Sequence, residues 1–199
     1  MSAIAVIPAR GGSRRIPKKN IREFHGKPII AYSIEAARAS KLFSKIVVST
    51  EDDEIAAVAK KYGAEVLIRP EHLAQDEVGT QEVMAHAMIE FHEHAVACCI
   101  YPTAPMITGE DLARGRHSLR NHGTIYAMSV NEEPLYDAGQ WYWGYTWAFA
   151  DRAPLIAPHT AMVPIDKGRV CDINTEQDWV RAELMFAAWQ KSLCAKEAA

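Results

Sequence analysis

Residues 8–20 concentrate the residue types that bind phosphate groups. Their sequence, PARGGSRRIPKKN, places Gly11 and Gly12 among basic side chains. Two adjacent glycines let the backbone approach a ligand closely and turn its N–H groups toward it. The segment matches neither G-x-x-x-x-G-K-[ST] nor G-x-G-x-x-G. The concentrated positive charge favours a polyphosphate-binding loop over the alternative, a solvated basic loop. The basic residues are Arg10, Arg14, Arg15, Lys18, Lys19 and Arg22.

Short apolar runs alternate with amphipathic stretches along the chain, and this alternation predicts how the loop is positioned. Strands are predicted at residues 3–7, 45–50, 65–68, 95–100, 124–130 and 161–163. Helices are predicted at residues 28–42, 52–61 and 80–91 and in a last segment that carries Trp179, Ala182, Phe186 and Trp189. Thr50 is the expected N-cap of the second helix, Gly63 its expected stop, and Thr175 the cap of the last.

This order predicts an α/β fold: a single Rossmann-like domain over residues 1–199, with a mostly parallel sheet and helices on both faces. Ligands of such sheets bind beyond the carboxyl ends of the strands. We therefore expect the site among the loops at residues 8–20, 50–53, 69–80, 101–105, 131–140 and 169–175.

Composition excludes several classes of protein. The chain has 199 residues, of which 49% are hydrophobic and 24% charged, with a formal net charge of −3. These values exclude disorder and argue against a general nucleic-acid binder. The four cysteines lack C-x-x-C spacing, so neither a zinc ribbon nor a disulfide framework is indicated. No secretion signal or membrane span is expected, and the predicted location is the cytoplasm.

Motifs spread over nearly the whole chain resemble those of the CMP-N-acylneuraminate cytidylyltransferase family. They are RGGS at 10–13, IPKKN at 16–20, RP at 69–70, YPTAP at 101–105, DAGQ at 137–140 and DINT at 172–175. The resemblance implies the nucleotide-diphospho-sugar transferase type of fold. The versions at 101–105 and 137–140 are similar to the branch that makes CMP-pseudaminic acid and diphosphate from CTP and pseudaminic acid. Two alternatives remain: another nonulosonic acid, such as neuraminic or legionaminic acid, or a weakly active or inactive nucleotide-binding homologue.

The resemblance also implies roles for individual residues. Arg10, Lys19 and Asp172 are implied as catalytic. The sugar would be contacted by Tyr101, Asp137 and Gln140. The residues implied to bind CTP are Arg10, Gly11, Gly12, Ser13, Arg14, Lys19, Asn20, Arg69 and Thr80.

A magnesium site is implied at Asp172 and Asn174, where the family usually has D-x-D. Alternate positions of an extended segment place both side chains on one side. Asn174 lacks a charge but retains a carbonyl oxygen that can bind a metal. The alternative for Asn174 is a purely helix-capping role.

The segment at residues 131–136 is shorter than in the resembled family, where this region contributes to the sugar site and the dimer contact. A homodimer is still expected. Trp141, Tyr142, Trp143, Tyr145 and Trp147 are expected in the core or at an interface rather than stacked on a ligand, and loss of the family's dimer contact would leave Trp141 and Trp147 more exposed. His86, His92 and His94 lack metal-ligand spacing and are expected to face solvent.

Overall fold

The computed structural model describes residues 3–121, 123–132 and 136–197, with side chains described to residue 195. Seven strands form one sheet in the order β5-β4-β1-β6-β8-β7-β9, and β2 and β3 form a separate hairpin. The strands are β1 (Ala3–Pro8), β2 (Glu23–Phe24), β3 (Lys27–Pro28), β4 (Lys45–Thr50), β5 (Glu65–Ile68), β6 (Val96–Ile100), β7 (Tyr126–Asn131), β8 (Tyr136–Tyr145) and β9 (Thr160–Ile165).

The sheet is mostly parallel, as predicted. β1 is an inner strand that pairs in parallel with both β4 and β6, while β5 and β9 add parallel strands at the two edges. β8 is antiparallel to both of its neighbours, β6 and β7. The prediction of a loop at residues 131–140 is therefore wrong for residues 136–140, which belong to β8. Three residues of the shortened segment, 133–135, lie outside the described residues.

The described part of the chain has six α-helices, which pack on the sheet or beside it. They are α1 (Ile29–Ser40), α2 (Asp53–Lys61), α3 (Thr80–Glu90), α4 (Gly109–Ser118), α5 (Thr146–Ala150) and α6 (Glu176–Glu197). Sequence patterning identified α1, α2, α3 and α6 but missed α4 and the short α5.

Side chains of β1 alternate between two hydrophobic clusters. Ala3, Ala5 and Ile7 pack with residues of α1, α2 and α4 on one face. Ile4 and Val6 pack with residues of α3 and α5 on the other. Because successive side chains of a strand point to opposite faces, this division places helices on both faces of the sheet, which confirms the predicted layering.

A third cluster fixes α6 beside the sheet. Trp179, Ala182 and Phe186 of α6 are buried against Phe24 of the hairpin and Ile173. These three helical residues occupy one face of α6, as their spacing predicted. α6 begins directly after the DINT segment, so its packing holds that segment in place.

Helix ends agree in part with expectation. Asp52, not Thr50, is the N-cap of α2, because its side chain accepts the Ile55 N–H at 2.9 Å. Gly63 follows the end of α2 with φ of +79°, a conformation that glycine adopts without a steric penalty. Thr175 caps α6 as predicted: its hydroxyl accepts the Asp178 N–H at 3.2 Å.

The aromatic run lies mainly in the core, and the prediction of solvent-facing histidines is wrong at His94, while His86 is half-buried. Trp141 and Trp143 are fully buried, whereas Trp147 is 54% exposed. His94 is buried rather than solvent-facing, and its Nε2 lies 3.1 Å from the Ser44 hydroxyl oxygen. Among the described residues, no helix combines the length and apolar character that crossing a membrane requires.

Candidate active site

A cavity of about 590 Å³ opens beyond the carboxyl ends of β1, β5 and β6, and we call it the carboxyl-end cavity. Most predicted site residues line it, although they come from four separate segments of the chain. Those that line it are Arg10, Ser13, Arg14, Lys19, Asn20, Arg69, Thr80, Tyr101, Asp172 and Asn174.

Positive charge predominates in the carboxyl-end cavity. The cationic side chains that line it are Arg10, Arg14, Arg15, Lys19 and Arg69, against the carboxylates of Asp76 and Asp172. Because the whole chain is net negative, this concentration of positive charge is a local property of the cavity. Such a site attracts a polyanion of several charges.

Asp76 pairs with two of these cations. Its carboxylate contacts the guanidinium of Arg10 and lies 3.1 Å from Nε of Arg14. Its hydrogen bond with Arg10 lowers the pKa of Asp76 below 3.8. Asp76 therefore offsets part of the positive charge of Arg10 and Arg14.

The backbone around Gly11 and Gly12, which we call the glycine loop, is fixed by contacts with the turn after β4. The Gly11 N–H donates to Oε1 of Glu51 at 2.7 Å, and a Cβ on Gly11 would collide with the carboxylate of Asp52. Gly12 has open space around it. Asn20 is buried and donates from Nδ2 to the carbonyl oxygen of Arg10 at 2.9 Å.

The opposite wall is formed by the segment before α6. Lys19 donates from Nζ to the carbonyl oxygen of Ile173 at 2.7 Å, which joins the basic loop to this wall. Burial lowers the pKa of Lys19 below 10.5, although nearby Asp172 favours the charged form. Oδ1 of Asn174 accepts from Arg15 at 2.9 Å, and Nδ2 of Asn174 donates to the carboxylate of Asp172.

The inner end of the cavity carries a series of hydroxyl groups. Oγ1 of Thr80 lies 2.7 Å from the Tyr101 hydroxyl, and the rings of Tyr101 and Tyr142 meet edge to face. The Tyr142 hydroxyl donates to Oδ2 of Asp137 at 2.7 Å. Burial raises the pKa of both tyrosines, so both act as neutral hydrogen-bonding groups near pH 7.

Four predicted site residues do not line the cavity. Gly11 and Gly12 are not among its lining residues, and Asp137 is linked to the lining residue Tyr101 through Tyr142. Gln140 is 3% exposed, and its Nε2 donates to the carbonyl oxygen of Arg169 at 2.7 Å. The structure thus places Gln140 as a buried link between β8 and the segment before Asp172.

The two residues expected to bind a metal ion lie side by side at the cavity. Among the described residues, no group of three or more His, Cys, Asp and Glu side chains could bind a metal. Asp172 and Asn174 do line the cavity together and touch each other. One carboxylate and one amide oxygen fit magnesium when phosphate oxygens and water complete its shell.

Sequence reasoning assigned no role to Asp76 or Glu51, and it counted Arg15 only among the basic residues of the loop. Asp76 and Arg15 line the cavity, and Glu51 supports it from below. Glu51 lies within the expected post-strand loop at 50–53, which was the available signal. The partners of a carboxylate cannot be read from its sequence position, since they come from distant parts of the chain.

The fold is one that solved nucleotidyltransferase structures share. The solved structure of a CMP:2-keto-3-deoxy-manno-octonic acid synthetase complexed with CTP superposes with a TM-score of 0.78. It covers 94% of this chain and 99% of its own at 16% identity, so the likeness concerns the fold.

Sequence comparison then gives the family: residues 4–138 match the cytidylyltransferase family model, and the chain belongs to that family. The pseudaminic acid cytidylyltransferase of Campylobacter jejuni subsp. jejuni serotype O:2 is 31% identical, over 94% of this chain and 97% of its own length. The CMP-N,N'-diacetyllegionaminic acid synthase of the same strain is 49% identical, over 48% of this chain and 41% of its own length.

The first of these alignments spans 226 positions, more than the 199 residues of this chain. The Campylobacter pseudaminic acid enzyme therefore contains residues without a counterpart here.

Proposed function

We propose that this cytidylyltransferase makes CMP-pseudaminic acid and diphosphate from CTP and pseudaminic acid, with magnesium. The observation that carries the proposal is the cationic carboxyl-end cavity, in which residues of the RGGS, IPKKN, RP, YPTAP and DINT motifs meet. The 31% identity to a pseudaminic acid cytidylyltransferase over nearly the full length of both chains supports the choice of sugar.

In the proposed reaction, the 2-hydroxyl oxygen of the sugar attacks the α-phosphorus of CTP. The bond between the α-phosphorus and the oxygen that bridges to the β-phosphate breaks, and diphosphate leaves with that oxygen. The hydroxyl proton is released to solvent. Arg10 and Lys19 are proposed to stabilise the charge that accumulates on the leaving diphosphate, since fixed cations supply most of the catalysis in phosphoryl transfer.

The other cavity residues are proposed to orient the two substrates. Ser13, Arg14 and the N–H groups near Gly11 and Gly12 would contact the triphosphate, while Asn20, Arg69 and Thr80 would contact the nucleoside. Tyr101 lies beside Thr80 and would meet the sugar. Asp137, which accepts from the Tyr142 hydroxyl, is proposed to act on the sugar through Tyr142 and Tyr101. Gln140 is proposed to act indirectly, by holding β8 in position.

Magnesium is proposed to bind between Asp172, Asn174 and the phosphates. When bound, the ion would neutralise phosphate charge and hold the triphosphate in one conformation. Asp172 supplies a carboxylate at this wall, and Lys19 donates to the adjoining Ile173 carbonyl.

The cellular context is proposed from the same features. We propose that residues 1–199 act as one domain in the cytoplasm, consistent with the four free cysteines. A homodimer is proposed because large apolar side chains, including Trp147, are exposed.

The nucleotide can be tested by thermal unfolding with CTP, UTP, ATP and GTP. CTP at about one hundred times its Kd should raise the Tm by about 5 °C or more, because binding to the folded state adds to its stability. Arg10→Ala should remove most of this increase. Arg120→Ala, an exposed arginine outside the cavity, is the matched control and should keep it. An equal response to all four nucleotides would contradict selective recognition of cytosine.

The sugar can be tested by diphosphate release from CTP with pseudaminic, legionaminic and N-acetylneuraminic acids. The highest kcat/KM is expected for pseudaminic acid. The 49% identity to a legionaminic acid synthase over about half the chain makes legionaminic acid the second candidate. CTP binding without diphosphate release from any sugar would instead indicate an inactive nucleotide-binding homologue.

A further inference from the structure

Glu51 connects two parts of the site that are far apart in the sequence. It follows β4, and its Oε1 accepts the Gly11 N–H at 2.7 Å. Its Oε2 forms an ion pair with NH2 of Arg69 at 3.2 Å. One carboxylate thus contacts both the glycine loop and the arginine implied in nucleoside binding.

Arg69 depends on this contact because it is almost entirely enclosed. It is 4% exposed, and its NH2 also donates to the carbonyl oxygen of Ser49 at 3.2 Å. Its Nε has no hydrogen-bond partner within the described protein, although Arg69 lines the cavity. A buried guanidinium requires an anionic partner to remain charged and fixed in orientation. Glu51 is the carboxylate that forms an ion pair with it.

The glycine loop is fastened to the same turn. The Ala9 N–H donates to the carbonyl oxygen of Ser49 at 3.0 Å, and Gly11 packs so closely on Asp52 that any Cβ would collide with it. The turn after β4 is therefore a common base for the loop and for Arg69. Glu51 is the residue whose side chain contacts both.

We propose that Glu51 is a positioning residue that sets the separation between the triphosphate-binding loop and the nucleoside-binding Arg69. This inference rests on the proposed function and deepens it. A nucleoside triphosphate must bind the loop through its phosphates and Arg69 through its nucleoside at the same time. A fixed distance between the loop and Arg69 therefore selects ligands that carry the right base on the triphosphate. Inorganic tripolyphosphate, which has no base, engages the loop alone and is insensitive to the placement of Arg69.

Glu51→Gln is the informative variant, because it retains an oxygen for the Gly11 N–H but removes the charge that faces Arg69. The Kd of CTP should rise about tenfold, the usual size of a lost hydrogen bond to a charged group. The preference for CTP over UTP should fall. Tripolyphosphate should bind at least as tightly as before, because a negative charge near its site has been removed.

Glu54→Gln is the matched control. It makes the same chemical change three residues away, on an exposed side chain that pairs with Lys18 outside the cavity. It should leave the Kd of both ligands unchanged. Calorimetric titration of each variant with CTP, UTP and tripolyphosphate gives the required values.

A double-mutant cycle with Arg69→Ala separates positioning from a general loss of stability. If Glu51 acts through Arg69, Glu51→Gln should change the Kd of CTP less than twofold in the Arg69→Ala background. Equal weakening of CTP and tripolyphosphate, or an undiminished effect in that background, would overturn the inference.

Two further measurements keep the outcome decisive. If Glu51→Gln does not fold by circular dichroism, Glu51→Asp replaces it. That side chain keeps its charge but is too short to reach both partners, and it should also raise the Kd of CTP about tenfold. Failure of the unaltered protein to bind CTP would refute the proposed function, and the inference with it. Normal CTP binding with unchanged Glu51 variants would refute the inference alone.

Discussion

Asp172 and Asn174 are in contact at the cavity wall before α6, and we call this part of the wall the lip. One is a carboxylate and the other a neutral amide, so they differ as metal ligands. The amide group of Asn174 is engaged on both sides, with Oδ1 on Arg15 and Nδ2 on Asp172. The Asn174 oxygen already accepts from the positively charged Arg15, which disfavours a second cation at that oxygen. Asp172 is therefore proposed as the stronger metal ligand of the two, and affinity for magnesium in the absence of CTP should be weak.

Initial rates against magnesium concentration test this assignment. Asp172→Asn should suppress kcat at least a hundredfold while raising the Kd of CTP only a few fold, because the lost carboxylate acts on the phosphates through the ion. Asn174→Asp should lower the magnesium concentration needed for half-maximal rate. If Asp172→Asn releases diphosphate as fast as the unaltered protein, Asp172 is not the metal ligand.

Among the helices, α4 has a direct connection to this lip. Asp111 in its first turn is 2% exposed and forms a bidentate pair with Arg169, with Oδ2 2.5 Å from NH1 and Oδ1 3.0 Å from NH2. It also completes a capping box with Thr108. Since Arg169 precedes Asp172 by three residues, α4 holds the segment that carries the lip.

Asp111→Asn should destabilise the fold by about 3 kcal/mol, because it leaves Arg169 without its buried partner. Burial raises the pKa of Asp111, but the hydrogen bonds from Arg169 and Thr108 outweigh it and hold that pKa below 3.8. The stabilisation is therefore present above pH 3.8 and is lost as the pH falls through the lower value in the folded state.

Urea unfolding from pH 7 to pH 3 should accordingly show a flatter dependence on pH for Asp111→Asn than for the unaltered protein. Asp151→Asn, an exposed carboxyl at the end of α5, is the control and should change neither stability nor slope. Equal stability of Asp111→Asn at pH 7 would contradict the importance of this pair.

Predictability differed between elements for physical reasons. The bounds of β1, β4 and β5 could be read from their short apolar runs within a residue. β1 and most of β4 are buried, whereas β5 is an edge strand on which Ile68 is exposed. β8 contains Gly139 and Gly144, which indicate a loop. Gly144 is needed because a Cβ there would collide with Tyr126 and Phe149. α4 has few apolar positions, since Leu112 alone among its large side chains is buried.

The residues that line the cavity were easier to predict than the residues that hold them in place. Loops that follow parallel strands converge at one edge, so the motifs identified most of its lining. The contacts of His94, Glu51 and Asp76 could not be predicted, because their partners are distant in sequence and only the folded chain shows them. Burial of a polar residue follows from such a partner rather than from local pattern.

Across the whole molecule, exposed apolar side chains point to self-association. Trp147 of α5 and Ile89 of α3 are 54% and 70% exposed, and α3 packs against α5. A dimer would remove this apolar surface from water.

Light scattering over a concentration series should give about twice the chain mass of 22.1 kDa. Trp147→Glu should shift the mass toward the monomer. Val180→Glu, at an apolar residue of α6 that is equally exposed, should not. A value near 22.1 kDa at every concentration would rule out the dimer.

The position of β8 has a consequence for how the chain assembles. β7 and β9 join the sheet only through β8, which lies between β6 and β7 although it follows both in the chain. Detaching β8 from β6 would release three strands together, while β5, β4, β1 and β6 would keep their own ladder. We therefore expect cooperative partial opening, in which backbone amides of β7, β8 and β9 exchange with solvent deuterium at one shared rate, faster than those of β1 and β4. Independent exchange rates for β7 and β8 would show that the strands open one at a time.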